Sequence, residues 1–146
     1  MGREVRRVPA NWSHPEGKWG FKPLYPGSWY AEAKERWLLV LKVRGLQAAL
    51  DEGGRPPDAS DYMPEWSETE ADHLMMYENT TEGTPISPAF KTPEELARWL
   101  TDNNASAFGD MGATYEQWLA MARRGWAPSA VVQDGKFMSG VEAATK

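Results

Sequence analysis

Apolar side chains recur every three to four positions in four stretches of this chain, which is the spacing of one helix face. Three of the stretches begin with Ser67, Thr92 or Thr114, each followed three residues later by Glu or Gln in the arrangement of a capping box. The remaining stretch begins at Ser28, a candidate N-cap. The pattern predicts helices at residues 28–50, 67–79, 92–104 and 114–125.

Proline and glycine interrupt the helical pattern between these stretches. Residues 1–27 combine several prolines with tryptophan, phenylalanine and tyrosine, so we predict an extended, aromatic-rich arm that lies on the body of the protein. Residues 51–61 are typical of a linker-like loop. In residues 80–90, Pro85 and Pro88 predict a stiff loop, which either presents groups to a partner or merely joins two helices.

The C-terminal residues change from helical to strand-like patterning. Asp134-Gly135 suits a two-residue type I′ turn, so we predict a short β-hairpin there. The fold class expected from the whole pattern is α+β, mainly helical, in one domain spanning residues 1–146. Its predicted parts are an extended arm at 1–27, a helix at 28–50, a loop at 51–61, a helical core at 62–126, and a hairpin and tail at 127–146.

Composition adds an unusual feature, which is eight tryptophans among 146 residues. Large aromatic side chains usually fill a core, so we expect a tryptophan-rich core, with an aromatic binding surface as the alternative. The chain has no cysteine, which excludes disulfides, thiolate catalysis and cysteine zinc sites. No apolar run has the length of a membrane span, and we expect no signal peptide at the start of the sequence.

The net charge of −5 is unevenly distributed along the chain. Residues 1–50 hold nine Lys/Arg and four Asp/Glu, which gives +5, whereas residues 51–100 hold three and twelve, which gives −9. The two regions are expected to attract each other within the fold. The alternatives are that the basic region touches nucleic acid or that the acidic region imitates it.

Motifs that carry chemistry are few. Glu70 and His73 have the i,i+3 spacing of half a di-metal helix pair, but the second half is missing, and a capping Glu70 explains the spacing more simply. No phosphate-binding glycine loop and no nucleophile-elbow pattern is present. We therefore predict no catalytic residue, no metal site and no cofactor. An enzyme of unrecognised type centred on Glu70, His73 and the 80–88 loop is kept as an alternative.

Several stretches of the chain resemble an uncharacterised family of small proteins encoded by bacteriophages and prophages. The stretches that carry this resemblance are residues 6–9, Trp12, and residues 14–15, 61–66, 76–78, 81–88, 93–100, 115–119 and 125–129. The segment around residues 16–57 lies outside it. The resemblance implies a phage origin and a location in the cytoplasm of a bacterial host, and it assigns no catalytic residue.

We expect a non-enzymatic accessory protein that binds a host protein and thereby inhibits a bacterial defence system. The expected partner-binding residues are Tyr62, Trp66, Glu82, Thr84, Ile86 and Ser87. The first alternative is a nucleic-acid-binding protein that uses the cations of the N-terminal arm, which are Arg3, Arg6, Arg7, Lys18 and Lys22. The second alternative is a minor virion or assembly component. No membrane partner is expected.

Overall fold

The computed structural model of the protein describes residues 2–145. Within this range the chain forms two compact units. Unit 1 comprises the chain up to Lys22 and from Trp66 onward, and unit 2 comprises Pro23–Glu65.

The elements alternate between strands and helices along the chain. In chain order they are β1 (Gly2–Val8), β2 (Glu16–Gly17), β3 (Gly20–Phe21), α1 (Ser28–Arg44), α2 (Leu46–Gly53), a 3-10 turn (Ala59–Asp61), β4 (His73–Glu78), β5 (Thr84–Phe90), α3 (Pro93–Asp102), α4 (Tyr115–Arg124), β6 (Trp126–Pro128), β7 (Ala130–Gln133), β8 (Lys136–Ser139) and α5 (Gly140–Ala143). Helices α1 and α2 belong to unit 2, and every strand belongs to unit 1.

Unit 1 is built on a four-stranded antiparallel sheet, with strand order β5-β4-β1-β6 among the described residues. The register of β1 against β4 pairs Val5 with Met76 and Glu4 with Tyr77. Because side chains alternate along a strand, Val5 and Met76 point to one face and Glu4 and Tyr77 to the other. The first face packs against α3 and α4 and forms the hydrophobic core.

The core of unit 1 is a layer between the sheet and these two helices. Its fully or nearly fully buried members are Met76, Leu96, Ala97, Leu100, Ala107, Trp118, Met121, Ala122, Ala127 and Val141. The tryptophans divide between core and surface: Trp118 is fully buried, whereas Trp19 is 90% exposed. Trp29 and Trp126 are also exposed.

Local sequence patterns correctly predicted the two helices of this layer. Thr92 accepts a hydrogen bond from the Glu95 amide at the start of α3, and Thr114 and Gln117 form a reciprocal capping box at the start of α4. Gly125 ends α4 in the left-handed conformation, with φ of 99°. These predictions are confirmed because each depends on contacts within a few residues.

The prediction of a mainly helical chain is wrong. Helices account for 36% of the protein and strands for 27%, and the centre of unit 1 is a sheet rather than a helical core at residues 62–126. Residues 1–27 are also not simply an extended arm, since Gly2–Val8 forms an internal strand of the sheet, between β4 and β6.

The predicted helix at residues 67–79 is replaced by a turn and a strand. Ser67 and Glu70 do make the reciprocal capping contacts, but the turn that they cap is not extended, and β4 follows at His73. Met75, Met76 and Tyr77 are all buried because both faces of β4 are covered. A strand covered on both faces lacks the apolar–polar alternation that would have distinguished it from a buried helix.

Two further boundaries differ from the prediction. The predicted loop at residues 80–90 contains β5, which pairs with β4 through an irregular register between Met75 and Tyr77. The predicted helix at residues 28–50 is broken at Gly45, whose φ of 91° lies outside the helical region, and it resumes as α2. The hairpin turn at Asp134-Gly135 is present, with φ of 53° and 76°, and joins β7 to β8.

Unit 2 consists of α1, α2 and the segments that precede and follow them. Tyr25 and Tyr62 are bridged through their backbones, and Met63 N–H donates to Tyr25 C=O at 2.8 Å. The ring of Tyr62 lies 5.5 Å from that of Tyr25 and 5.3 Å from that of Tyr30. No residue of α1 is buried, and Ala49 is the buried residue of α2, in a unit whose residues are all described.

No helix within residues 2–145 combines the length and the apolar character needed to cross a membrane.

Candidate functional site

The face of the sheet opposite α3 and α4 carries the most organised polar cluster of unit 1. The register puts Glu4 beside Tyr77 and Arg6 beside Met75 on this face. Residues 9–22, which include the β2–β3 hairpin, supply Trp12, His14 and Phe21 to the same region. This face therefore joins a regular sheet to an irregular segment that must be held in place by side-chain contacts.

The Tyr77 hydroxyl is the centre of these contacts. Trp12 Nε1–H donates to Tyr77 Oη at 3.1 Å, and His14 Nδ1 lies 2.9 Å from the same oxygen. His14 Nε2 lies 2.5 Å from the carbonyl oxygen of Lys22. We call Trp12, His14, Tyr77 and the Lys22 carbonyl the Tyr77–His14 network.

The proton positions in this network are set by the chemistry of its members. A carbonyl oxygen only accepts, so His14 Nε2 must carry the hydrogen and donate it to Lys22. In a neutral imidazole Nδ1 is then an acceptor, and it takes the hydroxyl hydrogen of Tyr77. Tyr77 Oη accepts from Trp12 in turn. Every polar group of the network is satisfied when His14 is neutral.

Burial and the nearby cation favour that neutral state. His14 is 5% exposed, and desolvation is the main cause that lowers its pKa from the ordinary imidazole value. The Lys22 carbonyl opposes this shift in pKa, and the positive charge of Arg6 adds to it. Burial also raises the pKa of Tyr77, so its hydroxyl stays protonated at neutral pH.

Arg6 extends the network along the sheet. Its guanidinium carbon lies 4.5 Å from the centre of the Tyr77 ring, and its Nε and Nη2 donate to Glu4 Oε1 at 3.0 and 2.8 Å. The buried cation is thus neutralised by Glu4 and stacked on the ring. These contacts hold the face of the Tyr77 ring.

An open groove of about 740 Å³ lies beside the network. Its lining residues are mostly aromatic, proline or aliphatic, and they are Trp12, Ser13, His14, Pro15, Glu16, Phe21, Met75, Pro85, Ile86, Ser87, Pro88 and Trp99. Trp12, His14 and Phe21 come from the segment that the network holds, while Met75 and Ser87 come from β4 and β5. The network therefore positions one wall of the groove against the other.

Polar atoms form a substantial part of the groove's lining, and one of the buried ones, the Ser87 hydroxyl, is already used. Ser87 Oγ accepts from the Met76 amide at 2.9 Å and donates to the Pro88 carbonyl at 2.8 Å, which holds β5 where its register is irregular. Pro85 and Pro88 remove two backbone donors from this edge strand. The two missing donors make this edge a poor template for an added β-strand, so we expect recognition in the groove to depend on side-chain contacts.

The β2–β3 hairpin carries exposed aromatic side chains next to the groove. Phe21 lines the groove and is 49% exposed, and its ring lies edge-on to His14 at 5.7 Å. Trp19, two residues earlier, is the most exposed large apolar side chain among the described residues. The Lys18 ammonium lies 5.2 Å from its ring centre. Burying such a side chain in a partner gains apolar area that the fold itself leaves in water.

The six residues predicted to bind a partner are separated by the structure. Ile86 and Ser87 line the groove, and the ring of Trp66 lies 5.0 Å from that of Trp12, behind one wall. Glu82 lies in the turn between β4 and β5, and Thr84 is the first residue of β5, directly before the groove-lining Pro85. Tyr62 belongs to unit 2, where it contacts Tyr25 and Tyr30.

The five cations considered for nucleic-acid binding do not form one basic surface. Arg3 is 3% exposed and ion-paired with Glu78, on the face of the sheet opposite Arg6. Arg7 donates to the Ala71 carbonyl at 3.1 Å. Lys18 lies against Trp19 at the hairpin, and the Lys22 carbonyl is part of the Tyr77–His14 network.

The remaining titratable groups form no metal site. No three His, Asp or Glu side chains come together in residues 2–145 as metal ligands would. Glu70 is engaged in the cap with Ser67, and His73 Nδ1 lies 2.8 Å from Asp72 Oδ1. The predicted Glu70–His73 pair is thus divided between a turn and a strand.

Sequence reasoning missed the residues that build the groove. His14 and Tyr77 are separated by 63 positions, and Trp99 joins them from the helix α3. The register of β1 against β4 brings these side chains together, and that register is a property of the sheet that the sequence pattern did not indicate. The one local indication was the proline and aromatic content of residues 9–26, which predicted a packed irregular segment.

Comparison of the chain with protein-family models, with curated proteins and with solved structures finds no match.

Proposed function

We propose that this protein acts by binding another protein, and that an extended apolar segment of the partner occupies the groove of unit 1. The observation that carries the proposal is an open groove, lined mainly by aromatic, proline and aliphatic residues, one wall of which is fixed by a network whose polar groups are all satisfied. A preformed site loses little conformational freedom on binding, which favours affinity.

The chemistry of the lining supports a polypeptide as the ligand. Small-molecule sites usually combine an enclosed shape with several convergent polar groups that orient the ligand. Here the groove is open, and its buried Ser87 hydroxyl is already engaged. Grooves lined by aromatic and proline side chains are typical of the recognition of extended, proline-containing peptides. The exposed Trp19 beside the groove is a residue type common among interface anchors.

A non-enzymatic role accords with the state of the two buried polar side chains. His14 and Tyr77 use their polar atoms within the network, and their pKa shifts favour the neutral forms. The resemblance to phage-encoded proteins supports a bacterial host protein as the partner and the host cytoplasm as the place of binding. Inhibition of a defence system by that binding is part of the proposal.

The proposal can be tested by affinity capture from nuclease-treated bacterial lysate, using the full chain and two variants. Phe21→Ala removes an exposed ring from the groove, and Trp126→Ala removes a similarly exposed ring from β6, outside the lining. We expect the wild type and Trp126→Ala to capture the same protein and Phe21→Ala to lose at least about 90% of it, which corresponds to about 1.4 kcal/mol of binding free energy.

Capture that is equal for all three proteins would contradict groove binding. Far-UV circular dichroism of each variant serves as the folding control, since Phe21 and Trp126 are exposed side chains whose truncation should change stability little. Recovery that disappears with nuclease treatment would support the nucleic-acid alternative instead.

A further inference from the structure

Helix α1 in unit 2 has two apolar faces, and one of them is left in water. Ala33, Trp37 and Val40 line a pocket of unit 2 together with residues of α2 and the 55–62 segment. Exposed apolar side chains outside this pocket are Leu38, Leu39 and Val43 on α1 and Leu46 and Leu50 on α2, and we call them the α1–α2 stripe. Val43 is the most exposed of them, at 71%.

This stripe is larger than a scattering of single apolar residues. Within α1, Leu39 follows Leu38 directly and Val43 comes four residues later, so Leu39 and Val43 lie on one side of consecutive helical turns; Leu46 and Leu50 have the same spacing within α2, after the break at Gly45. Contiguous exposed apolar surface of this kind usually marks a contact with another macromolecule. The charged residues beside the stripe indicate which macromolecule makes this contact.

Glu35 and Lys42 are exposed and lie in line with the stripe. They are seven residues apart, which is two helical turns or about 10.5 Å along the axis, with only about 20° of rotation between them. The point midway between them falls between Leu38 and Leu39. If a second copy of α1 lies antiparallel about a two-fold axis at this point, position 35 of one copy lies opposite position 42 of the other.

We infer that the stripe is a self-association surface, on which α1 of one copy packs antiparallel against α1 of a second copy. In this arrangement Glu35 lies opposite Lys42 of the second copy. The two-fold symmetry produces the same pair again, with Lys42 opposite Glu35 of the second copy. Leu38 and Leu39 meet the equivalent leucines at the centre. A parallel pairing in register would instead put Glu35 against Glu35 and Lys42 against Lys42, so the charges select the antiparallel dimer.

The size of the surface sets the expected strength of the dimer. A helix of 17 residues is about 26 Å long, and a single pair of such helices buries less than the roughly 800 Å² per partner of a standard interface. We therefore expect a weak, reversible dimer. This dimer does not depend on the proposed function, because it involves unit 2 and the groove belongs to unit 1.

The test is sedimentation analysis of the full chain from about 5 to 500 μM, a range that covers weak, transient association. We expect a concentration-dependent dimer in the wild type. Glu35→Lys and Lys42→Glu each create two like-charge contacts, and each should weaken dimerisation about tenfold at low salt. The double variant Glu35→Lys/Lys42→Glu restores both opposite-charge contacts and should return to within about threefold of the wild type.

The double variant makes the test specific, since only contact between two copies of this helix predicts its rescue. Leu39→Glu should abolish the dimer, and circular dichroism confirms that each exposed substitution leaves the fold intact. A wild-type chain that remains monomeric up to about 500 μM overturns the inference. So does a dimer that is insensitive to Leu39→Glu, or a double variant no closer to the wild type than either single one.

Discussion

Tyr77 joins three parts of unit 1 through one side chain. Its ring lies under the Arg6 guanidinium, its oxygen accepts from Trp12, and its hydrogen goes to His14. These contacts connect the sheet to the segment that forms a wall of the groove. Loss of this single hydroxyl would leave Trp12 Nε1 and His14 Nδ1 without their partner.

Tyr77→Phe keeps the ring and removes only the hydroxyl. Trp12 Nε1 and His14 Nδ1 would lose their partner, so we expect the free energy of unfolding to fall by about 1–3 kcal/mol in urea denaturation. Tyr115→Phe is the matched control, since Arg98 lies 4.2 Å from the Tyr115 ring centre and that contact survives. Its effect should stay within about 0.5 kcal/mol. Equal effects of the two substitutions would show that the hydroxyl of Tyr77 contributes nothing special.

His14 should make stability depend on pH in the range just below neutrality. Its pKa is lowered in the folded state, so the unfolded chain binds the proton more readily. The stabilising contribution is present above the unfolded value of about 6.5 and is lost as the pH falls from there through the lower folded pKa. Wild-type stability should therefore decrease between about pH 7 and 5, and His14→Gln should reduce this slope.

The carboxylates provide an internal control for that pH dependence. The pKa of Asp72 is lowered mainly by its hydrogen bond with His73, and that of Glu94 by backbone and Arg123 hydrogen bonds. The stability that these two carboxylates contribute is therefore lost at and below their ordinary pKa values of about 4, whereas an imidazole in the unfolded chain titrates at about 6.5. If the free energy of unfolding changes equally between pH 7 and 5 in the wild type and in His14→Gln, this pH dependence arises from other groups.

At the scale of elements, the sequence predicted those features that local contacts determine. The caps of α3 and α4 and the Asp134-Gly135 turn depend on residues only a few positions apart, and the structure has them. The capping box at Ser67 was also found, but a cap specifies where a helix begins and not how long it lasts. The residues after this cap form β4, because pairing with β1 and β5 stabilises an extended conformation of His73–Glu78.

The groove could not be predicted from the sequence for the same reason. Ile86 and Ser87 were expected to contact a partner because they lie in a stiff, proline-containing segment, and both do line the groove. His14 and Trp99 were not proposed, since the pairing of β1 with β4 and the packing of α3 against β5 bring them to the groove. Tyr62 was expected in the same set as Trp66, whereas the boundary between the units falls between these two residues.

The junction of β8 and α5 offers an element-scale prediction. A Cβ atom added at Gly140 would overlap the backbone carbonyl of Pro128 in β6, and backbone cannot give way cheaply. We expect Gly140→Ala to lower the free energy of unfolding by at least about 2 kcal/mol, within the upper range of overpacking costs. Gly17→Ala is the control, because its added Cβ would find its nearest neighbour at 3.4 Å, an ordinary contact. Equal unfolding midpoints for the two variants would contradict the close approach of α5 and β6.

At the scale of the whole molecule, the two units carry different surfaces. Unit 1 has the groove and the exposed hairpin aromatics, and unit 2 has the α1–α2 stripe. A dimer formed through the stripe carries two grooves. Two linked sites can bind a partner with repeated segments more strongly than one site, provided that the geometry allows both to be occupied.

Site-specific photocrosslinking in bacterial cells directly tests whether a partner binds in the groove. The photoreactive residue p-benzoylphenylalanine would replace Phe21 in one protein and Trp126 in another, which are aromatic positions of similar exposure inside and outside the groove. If a partner segment occupies the groove, position 21 should form a discrete covalent adduct with one host protein and position 126 should form none. An adduct from position 126 alone, or none from either position, would contradict groove binding.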